Sequence, residues 1–157
     1  MTSQLDELYL KSHVSRDLLQ SAALFKNDHL AVWEYVSNGL QYIDHGTSPV
    51  VRVKLDNSNK RISIKDNGRG MTFPDLQNFF VMHGENVDRK AGRAGRGMFG
   101  TGKSAAFGIA ETLVVTTVSN GKRTKVSLSR NDIDSGVGDS PIPVRVIERE
   151  VKTSESN

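Results

Sequence analysis

The stretch Asp66-Asn67-Gly68-Arg69-Gly70-Met71, preceded by the alternating segment Arg61-Ile62-Ser63-Ile64-Lys65, decides the fold of this chain. Alternation of isoleucine with polar residues predicts a strand over residues 61–66 that buries one face. Asp66 falls on the isoleucine face, so its carboxylate is expected in an apolar layer, where an unpaired charge is costly. Either the amino group of a ligand supplies the missing donor, or Asp66 only ends the strand ahead of an ordinary Asn-Gly turn.

A second strand is expected over residues 50–55, separated from the first by the turn-rich residues 56–60. The two strands are predicted to form a hairpin in which each strand has one buried face. Gly68 and Gly70, after the hairpin, leave the backbone free to turn sharply and to approach a flat group closely.

A longer helix is predicted to begin at Asp28 and to stop at Gly46. Its apolar stripe at helical spacing consists of Val32, Val36, Leu40 and Ile43. Glu34 and Asn38 lie four residues apart, on one side of the helix and roughly opposite this stripe. Taken alone, such a pair is equally typical of a polar face in solvent.

A glycine-rich segment, residues 92–104, leads into a helix predicted over residues 105–110. Glycines let successive backbone N–H groups converge, and a helix N-terminus adds partial positive charge, so phosphate oxygens are stabilised there. Five basic residues and no acid lie in or beside this segment: Arg89, Lys90, Arg93, Arg96 and Lys103. A flexible linker is the alternative, but it does not explain why the glycines stop where a helix begins.

Residues 97–104 also match G-x-x-x-x-G-K-[ST], the P-loop pattern, which would place Lys103 on the β- and γ-phosphates and Ser104 on Mg²⁺. A P-loop directly follows a buried apolar strand, whereas residues 89–96 are basic and glycine-rich. No apolar strand ending in aspartate follows to hold Mg²⁺. A P-loop NTPase is therefore the less favoured alternative.

The other segments complete an alternation of helices and strands. Further helices are expected at Ser3 to Lys11, from Ser15 through Ala23, and at Pro74 to Met82. Further strands are expected at Thr112 to Ser119 and Lys122 to Ser129, paired around Asn120-Gly121, and at Ile142 to Glu150. Loops are expected at residues 83–96 and 134–143. Residues 151–157 are expected to be a frayed polar tail or the start of a missing C-terminal remainder.

The bulk composition is that of a soluble globular domain. The 157 residues are 36% apolar and 25% charged with a net charge of +3, which suits one domain with its own core. The absence of cysteine excludes disulfides, thiolate metal sites and a cysteine nucleophile. No apolar run is long enough to cross a bilayer, and no export signal is evident at Met1, so a cytoplasmic location without membrane attachment is expected.

Together, Glu34…Asn38, Asp66-x-Gly68-x-Gly70 and Gly97-x-x-Gly100-x-Gly102 resemble the N, G1 and G2 boxes of the GHKL superfamily. This superfamily includes DNA gyrase B subunits, the ninety-kilodalton heat-shock chaperones, sensor histidine kinases and mismatch-repair ATPases. The resemblance covers about residues 30–130. It implies the Bergerat ATP-binding fold, an α/β (α+β) two-layer sandwich whose mixed, largely antiparallel sheet is covered on one face by helices. It also implies a domain over residues 1–150 with a lid at about residues 79–97.

The resemblance also assigns roles to single residues. Asn38 would coordinate Mg²⁺, which bridges phosphate oxygens, and Asp66 would accept from the adenine amino group. Residues implied to shape the base pocket are Gly68, Gly70, Met71 and, from a Thr-Lys-Val strand segment, Thr124. Residues implied to surround the phosphates are Arg93, Arg96, Gly97, Met98, Phe99, Gly100, Thr101, Gly102 and Lys103.

Glu34 separates the subclasses of the family. A carboxylate four residues before the magnesium asparagine is the general base of the hydrolases, whereas histidine kinases usually carry asparagine there. The sequence therefore predicts an ATPase that couples ATP and ADP binding to rearrangement or dimerisation of a larger polypeptide. Gln41 and Tyr42 replace the usual Asp-Ala pair, so turnover is expected to be slow. Histidine-kinase-like phosphoryl transfer and a non-hydrolysing nucleotide sensor are the alternatives, and nucleic acid as a partner stays open.

Overall fold

The computed structural model describes residues 8–10, 27–80, 102–134 and 142–157. The helices of these residues are α1 (Asp28–Gln41), α2 (Phe73–Phe80), α3 (Gly102–Ile109) and α4 (Arg130–Asp134). The strands are β1 (Leu8–Leu10), β2 (Val51–Asp56), β3 (Arg61–Asp66), β4 (Thr112–Ser119), β5 (Lys122–Ser129) and β6 (Ile142–Lys152). No helix of the described residues is long and apolar enough to cross a membrane.

Two antiparallel sheets and a layer of helices make up the architecture. One sheet has the strand order β1-β6-β5-β4, and the other is the hairpin of β2 and β3. The turn between β4 and β5 is tight because Asn120 and Gly121 both adopt positive φ, 52° and 69°. The predicted α/β two-layer class with largely antiparallel pairing is confirmed, and among the described strands every pairing is antiparallel.

The core lies between the larger sheet and the helices. Leu76 of α2 and Phe107 of α3 are fully buried against Val126 and Leu128 of β5. Ile133 and Val144 complete the buried cluster, which therefore joins three helices to two strands. Alternation along β5 explains this arrangement, because residues 124, 126 and 128 face the helices while their neighbours face outward.

Helix α2 begins with a capping box that periodicity alone did not reveal. The Thr72 Oγ1 accepts from the Asp75 N–H at 3.3 Å, and the Thr72 N–H donates to Asp75 Oδ2 at 3.0 Å. The helix runs from Phe73 to Phe80 and so begins one residue before the predicted start at Pro74. Leu76 and Phe79 lie on its core side.

Three predictions at the ends of the chain were wrong. Residues 8–10, expected in a helix, pair with β6, because the Leu-Tyr-Leu segment suits a strand and β6 offers it a free edge. The last strand continues to Lys152 rather than ending at Glu150. Beyond it, Thr153 donates its N–H to the Gly121 carbonyl at 3.0 Å, so the segment expected to fray makes ordered contacts. Away from the chain ends, Asp134 was predicted to begin a loop, but it is the last residue of the short helix α4.

The hairpin of β2 and β3 differs from its prediction in burial. Its register places Val53 opposite Ile64 and Leu55 opposite Ile62. Yet Val53, Leu55 and Ile62 are 44%, 66% and 39% exposed. Gly39 of helix α1 meets the other end of this face, at Val51 and Asp66. Among the described residues, the face is therefore covered at that end and exposed around Leu55. The predicted helix from Ser15 and the predicted loop at residues 83–96 lie outside the described residues.

Leucines at two positions provide a matched test of the core. Leu76 is 0% exposed and Leu55 is 66% exposed. Leu76→Ala is expected to lower the free energy of unfolding by about 2–5 kcal/mol, because it removes buried methyl groups and leaves a cavity. Leu55→Ala is expected to change it by less than about 1 kcal/mol. Urea unfolding followed by circular dichroism measures both, and equal losses would contradict the described core.

Candidate nucleotide site

Helix α1 packs through a narrow face made by Ala31, Tyr35 and Gly39. Ala31 and Gly39 are its buried residues, and Tyr35 lies between them at the same spacing of four. The predicted stripe was therefore displaced by one residue: Val32 is only half-buried, and Leu40 is 40% exposed. The reason is the neighbour, because a small residue is needed where α1 meets β3. A Cβ on Gly39 would lie 3.0 Å from the Asp66 Cβ.

Tyr35 joins α1 to α3. Its hydroxyl accepts from the Ala106 N–H at 3.2 Å. Burial raises the pKa of the Tyr35 phenol, so the hydroxyl is neutral at physiological pH. Ala106 is the fifth of the eight residues of α3, the helix into which the predicted phosphate loop leads. Helix α1 thus contacts β3 through Gly39 and α3 through Tyr35, and this brings the end of β3 and the helix that begins at Gly102 to the two sides of α1.

Glu34 and Asn38 flank the packing face of α1. Each follows a packing residue by three positions, Ala31 and Tyr35 respectively, and so lies about 60° around the helix from that face. Both side chains are half-buried, rather than lying on a side directed fully into solvent. Within residues 27–80, 102–134 and 142–157, neither side chain has a hydrogen bond or an ion pair.

Asp66 ends β3 beside α1, and only one of its two carboxylate oxygens accepts a hydrogen bond from a described residue. Oδ1 accepts from the Gly68 N–H at 2.8 Å. Oδ2 lies against Gly39, where a Cβ would approach it to 3.4 Å, and it accepts no hydrogen bond from any described residue. Asp66 therefore terminates the strand in a turn, and among the described residues Oδ2 has no hydrogen-bond partner. Recognition of a ligand by Asp66 stays a prediction.

The turn after Asp66 is fixed by the protein itself. Asn67 accepts from the Val50 N–H and donates to the Ser48 carbonyl, which holds the turn to the start of β2. Gly70 has φ of +70°, and a Cβ there would lie 1.9 Å from the Val118 carbonyl oxygen. At Gly68, a Cβ would lie 2.7 Å from Asp66 Oδ1. These glycines are therefore required by packing within the chain, before any ligand is considered.

Two buried threonines lie where the turn meets the larger sheet. Thr117 and Thr124 are paired across β4 and β5 and are 4% and 3% exposed. Thr117 Oγ1 accepts from the Met71 N–H at 2.7 Å, and Thr124 Oγ1 accepts from the Glu150 N–H at 3.1 Å. The predicted Thr124 is therefore near the turn, but its acceptor already serves a bulge of β6.

The sequence patterns did not single out Thr117 as a residue that contacts the turn. It shares a strand face with Leu113 and Val115, so a hydroxyl falls in an apolar register. A threonine at that position could have predicted a buried hydrogen bond, since a buried hydroxyl needs a hydrogen-bond partner.

The predicted phosphate loop is described only at its end. Gly102 is the first residue of α3 and Lys103 the second, so both lie at a helix N-terminus. The helix begins three residues before its predicted start at Ala105 and ends at Ile109 rather than at Ala110. The other end of α3 is held by Arg130, whose guanidinium donates to the Phe107 carbonyl at 2.7 Å. The remaining predicted phosphate residues lie outside the described residues: Arg93, Arg96, Gly97, Met98, Phe99, Gly100 and Thr101.

The described residues suit an adenine nucleotide with Mg²⁺. Asp66 offers an acceptor without a partner at the edge of an apolar layer. Asn38 offers an amide oxygen, which is a ligand that Mg²⁺ accepts alongside phosphate oxygens. Gly102 begins a helix whose N-terminus favours an anion. Each group matches a different part of the nucleotide.

Comparison with known proteins gives two findings. The model of the family described as histidine kinase-, DNA gyrase B-, and HSP90-like ATPase matches residues 26–156. The chaperone protein HtpG of Helicobacter pylori is 32% identical over 123 residues, which cover 71% of this chain. The match spans only 18% of that chaperone's length. The family match decides against the P-loop interpretation of residues 97–104.

Two glycines with the same backbone conformation test the fit of the turn. Gly70 and Gly121 have φ of +70° and +69°, but a Cβ on Gly121 would have its nearest neighbour at 3.9 Å. Gly121→Ala is expected to cost about 1 kcal/mol from backbone strain alone. Gly70→Ala is expected to cost at least about 3 kcal/mol, since the Val118 carbonyl must also move. Thermal unfolding of both variants makes the comparison, and equal losses would show that the turn does not touch β4.

Proposed function

Because this chain belongs to the family of histidine kinase-, DNA gyrase B- and HSP90-like ATPases, we propose that it binds ATP with Mg²⁺ and hydrolyses it at the site between α1, β3 and α3. ATP-binding ATPase activity, in this broad sense, is what the family and the HtpG relative support. The assignment of individual residues and of the conformational cycle is the proposal. The observation that carries it is Asp66 Oδ2, a carboxylate oxygen without a partner among the described residues, at the contact of α1 with β3.

Adenine recognition is proposed at Asp66. An ionised carboxylate accepts hydrogen bonds and cannot donate, so its free oxygen selects a base edge that carries a donor, such as the amino group of adenine. Oδ1 is held by the Gly68 N–H, which fixes the plane of the carboxylate and lowers the entropy lost on binding. Met71 and Thr124 are proposed to line the base pocket on the side of the larger sheet.

Asn38 and Glu34 are proposed to act on the phosphate end. Bound Mg²⁺ would neutralise charge on the phosphate oxygens, and the amide oxygen of Asn38 would be its ligand from the protein. Glu34 lies one helical turn before Asn38 on the same side of α1. Its carboxylate would orient a water molecule and accept its proton. The rigid helix keeps the two groups at a fixed separation, which is what general base catalysis needs.

The phosphates are proposed to bind at the start of α3. Gly97, Gly100 and Gly102 would present backbone N–H groups, and Arg93, Arg96 and Lys103 would offset the negative charge. Met98, Phe99 and Thr101 belong to the same loop. Residues from about 79 to 97 are proposed as a lid that closes over the nucleotide and couples its state to rearrangement or dimerisation of a longer polypeptide. Within this segment, Phe79 packs against the core at the end of α2.

Substitution of Asp66 tests adenine binding. Asp66→Asn keeps the size of the side chain but places an amide where a carboxylate oxygen faced the ligand, so affinity for Mg-ADP is expected to fall about tenfold to a hundredfold. Isothermal titration calorimetry measures the change. Asp132→Asn on α4 is the matched control and is expected to bind normally. Equal affinity of the Asp66→Asn variant and the unmodified chain would contradict adenine recognition at Asp66.

Substitution of Glu34 tests hydrolysis separately from binding. Glu34→Gln is expected to reduce steady-state phosphate release at least about a hundredfold while the affinity for a non-hydrolysable ATP analogue stays within about twofold. Asp28→Asn, on the same helix, serves as the control and should retain activity. Unchanged turnover would remove Glu34 from the mechanism. Tight binding without phosphate release in the unmodified chain would indicate a nucleotide sensor, and labelled phosphate on a partner histidine would indicate a kinase.

A further inference from the structure

The carboxamide of Asn157 joins the turn after β3 to the edge of β4. Its Oδ1 accepts from the Val118 N–H at 2.7 Å, and its Nδ2 donates to the Val118 carbonyl at 2.7 Å. The same Nδ2 donates to the Gly68 carbonyl at 3.1 Å. Both donors and one acceptor site of the carboxamide are thereby used. Since Val118 and Gly68 both offer carbonyl oxygens on this side, only this orientation of the amide satisfies the network.

The contact replaces a neighbouring strand at one position of the sheet. A carboxamide has the same donor and acceptor as a peptide group, and its two bonds with Val118 copy the paired bonds that residues exchange in an antiparallel ladder. Among the described strands, β4 is the edge of its sheet on this side. Asn157 therefore satisfies one position of an otherwise open edge and uses its remaining donor to hold the turn.

The turn is held to β4 at a second point. The Met71 N–H donates to Thr117 Oγ1 at 2.7 Å, one residue before Val118 on the same strand. Gly70, between the two contacts, fits so closely that a Cβ would lie 2.4 Å from Asn157 Nδ2. The segment from Gly68 to Met71 thus has no room to shift while both contacts are in place.

We infer that Asn157 is a positioning residue for base recognition, acting on Asp66 through the backbone of Gly68, whose carbonyl and N–H belong to the two peptide groups on either side of its Cα. Asn157 holds the Gly68 carbonyl, and the N–H of the same residue, Gly68, holds Asp66 Oδ1. Fixing Gly68 on one side therefore fixes the carboxylate on the other and keeps Oδ2 available for a base. The inference rests on the proposed function, because it assumes that Asp66 contacts adenine. The family match ends at residue 156, so it does not include this position.

The test compares two nucleotides that differ at the group Asp66 is proposed to read. ADP carries an amino group on the base, whereas IDP carries a carbonyl at the same position and so presents an acceptor to the carboxylate. A loosely held Asp66 discriminates less well between them. Asn157→Ala is expected to weaken ADP binding about threefold to tenfold, the worth of one ordinary hydrogen bond, and to leave IDP binding nearly unchanged. The selectivity ratio, which is the dissociation constant of IDP divided by that of ADP, should therefore fall by the same factor.

A second variant and a control separate positioning from general stability. Asn157→Asp has almost the same shape but places a carboxylate, which cannot donate, beside the Gly68 and Val118 carbonyls, so it should lower the ratio at least as far. Glu155→Gln alters the same segment at its ion pair with Arg123, 3.0 Å long, and touches no part of the turn. The Glu155→Gln variant should have a slightly lower melting temperature, and its ratio of the IDP dissociation constant to the ADP dissociation constant should be unchanged.

Calorimetric titrations with ADP and IDP, alongside thermal unfolding of each variant, give the result. A reduced ratio in both Asn157 variants, with folding confirmed by circular dichroism, supports the inference. An unchanged ratio in either folded variant overturns it while leaving ATP binding intact. Absence of ADP binding by the unmodified chain overturns the proposed function and this inference together, so the two failures are distinguishable.

Discussion

The close approach of helix α1 to strand β3 is the constraint on which the site depends. Gly39 and Asp66 meet so closely that a Cβ on the glycine would lie 3.0 Å from the aspartate Cβ. Only a glycine there lets the helix backbone lie against the end of the strand. The approach fixes how far Glu34 and Asn38, on the same helix, lie from the carboxylate at the end of β3. A wider spacing would separate the two ends of the proposed nucleotide site.

A second contact ties the same helix to α3. The bond from the Ala106 N–H to the Tyr35 hydroxyl is made in a half-buried setting, where an unpaired phenol would be costly. Helix α1 is therefore attached on one side to the strand that ends in Asp66 and on the other to the helix that begins at Gly102. Movement of α3 would therefore displace the side chain of Tyr35, which is adjacent to Glu34 in the sequence. Through this contact, the helix that begins at Gly102 is linked to the helix that carries Glu34 and Asn38.

The turn after β3 shows how a motif can serve two purposes. Gly68 and Gly70 are spaced as a nucleotide-binding motif requires, yet each is already demanded by contacts inside the chain, with Asp66 and Val118 respectively. Thr117 and Asn157 hold the same turn from the larger sheet. The rigidity of the proposed base site therefore comes from residues far away in sequence. A rigid acceptor binds with a smaller entropic cost than a mobile one.

Local patterns predicted most of the elements correctly. Alternation gave the strands of both hairpins, and Asn120-Gly121 gave the turn between β4 and β5, because these signals depend on neighbouring residues alone. Helical spacing gave α1 but misplaced its buried face by one residue. The choice between Val32 and Ala31 depends on the partner that the helix meets. The same limit explains the hairpin face around Leu55, which alternates correctly and is nevertheless exposed.

The sequence by itself determined the family, since three motifs in order and spacing restrict the chain to one kind of nucleotide site. It also determined which residue types are available: a carboxylate at Asp66, an amide at Asn38 and a glycine-rich approach to α3. Only the tertiary structure decided which of these groups have partners. Among the described residues, Asp66 Oδ2 accepts no hydrogen bond, Thr124 Oγ1 accepts one from Glu150, and Asn157 joins the turn after β3 to β4. Hydrogen bonds between distant residues depend on how elements pack, and periodicity along the chain carries no information about that packing.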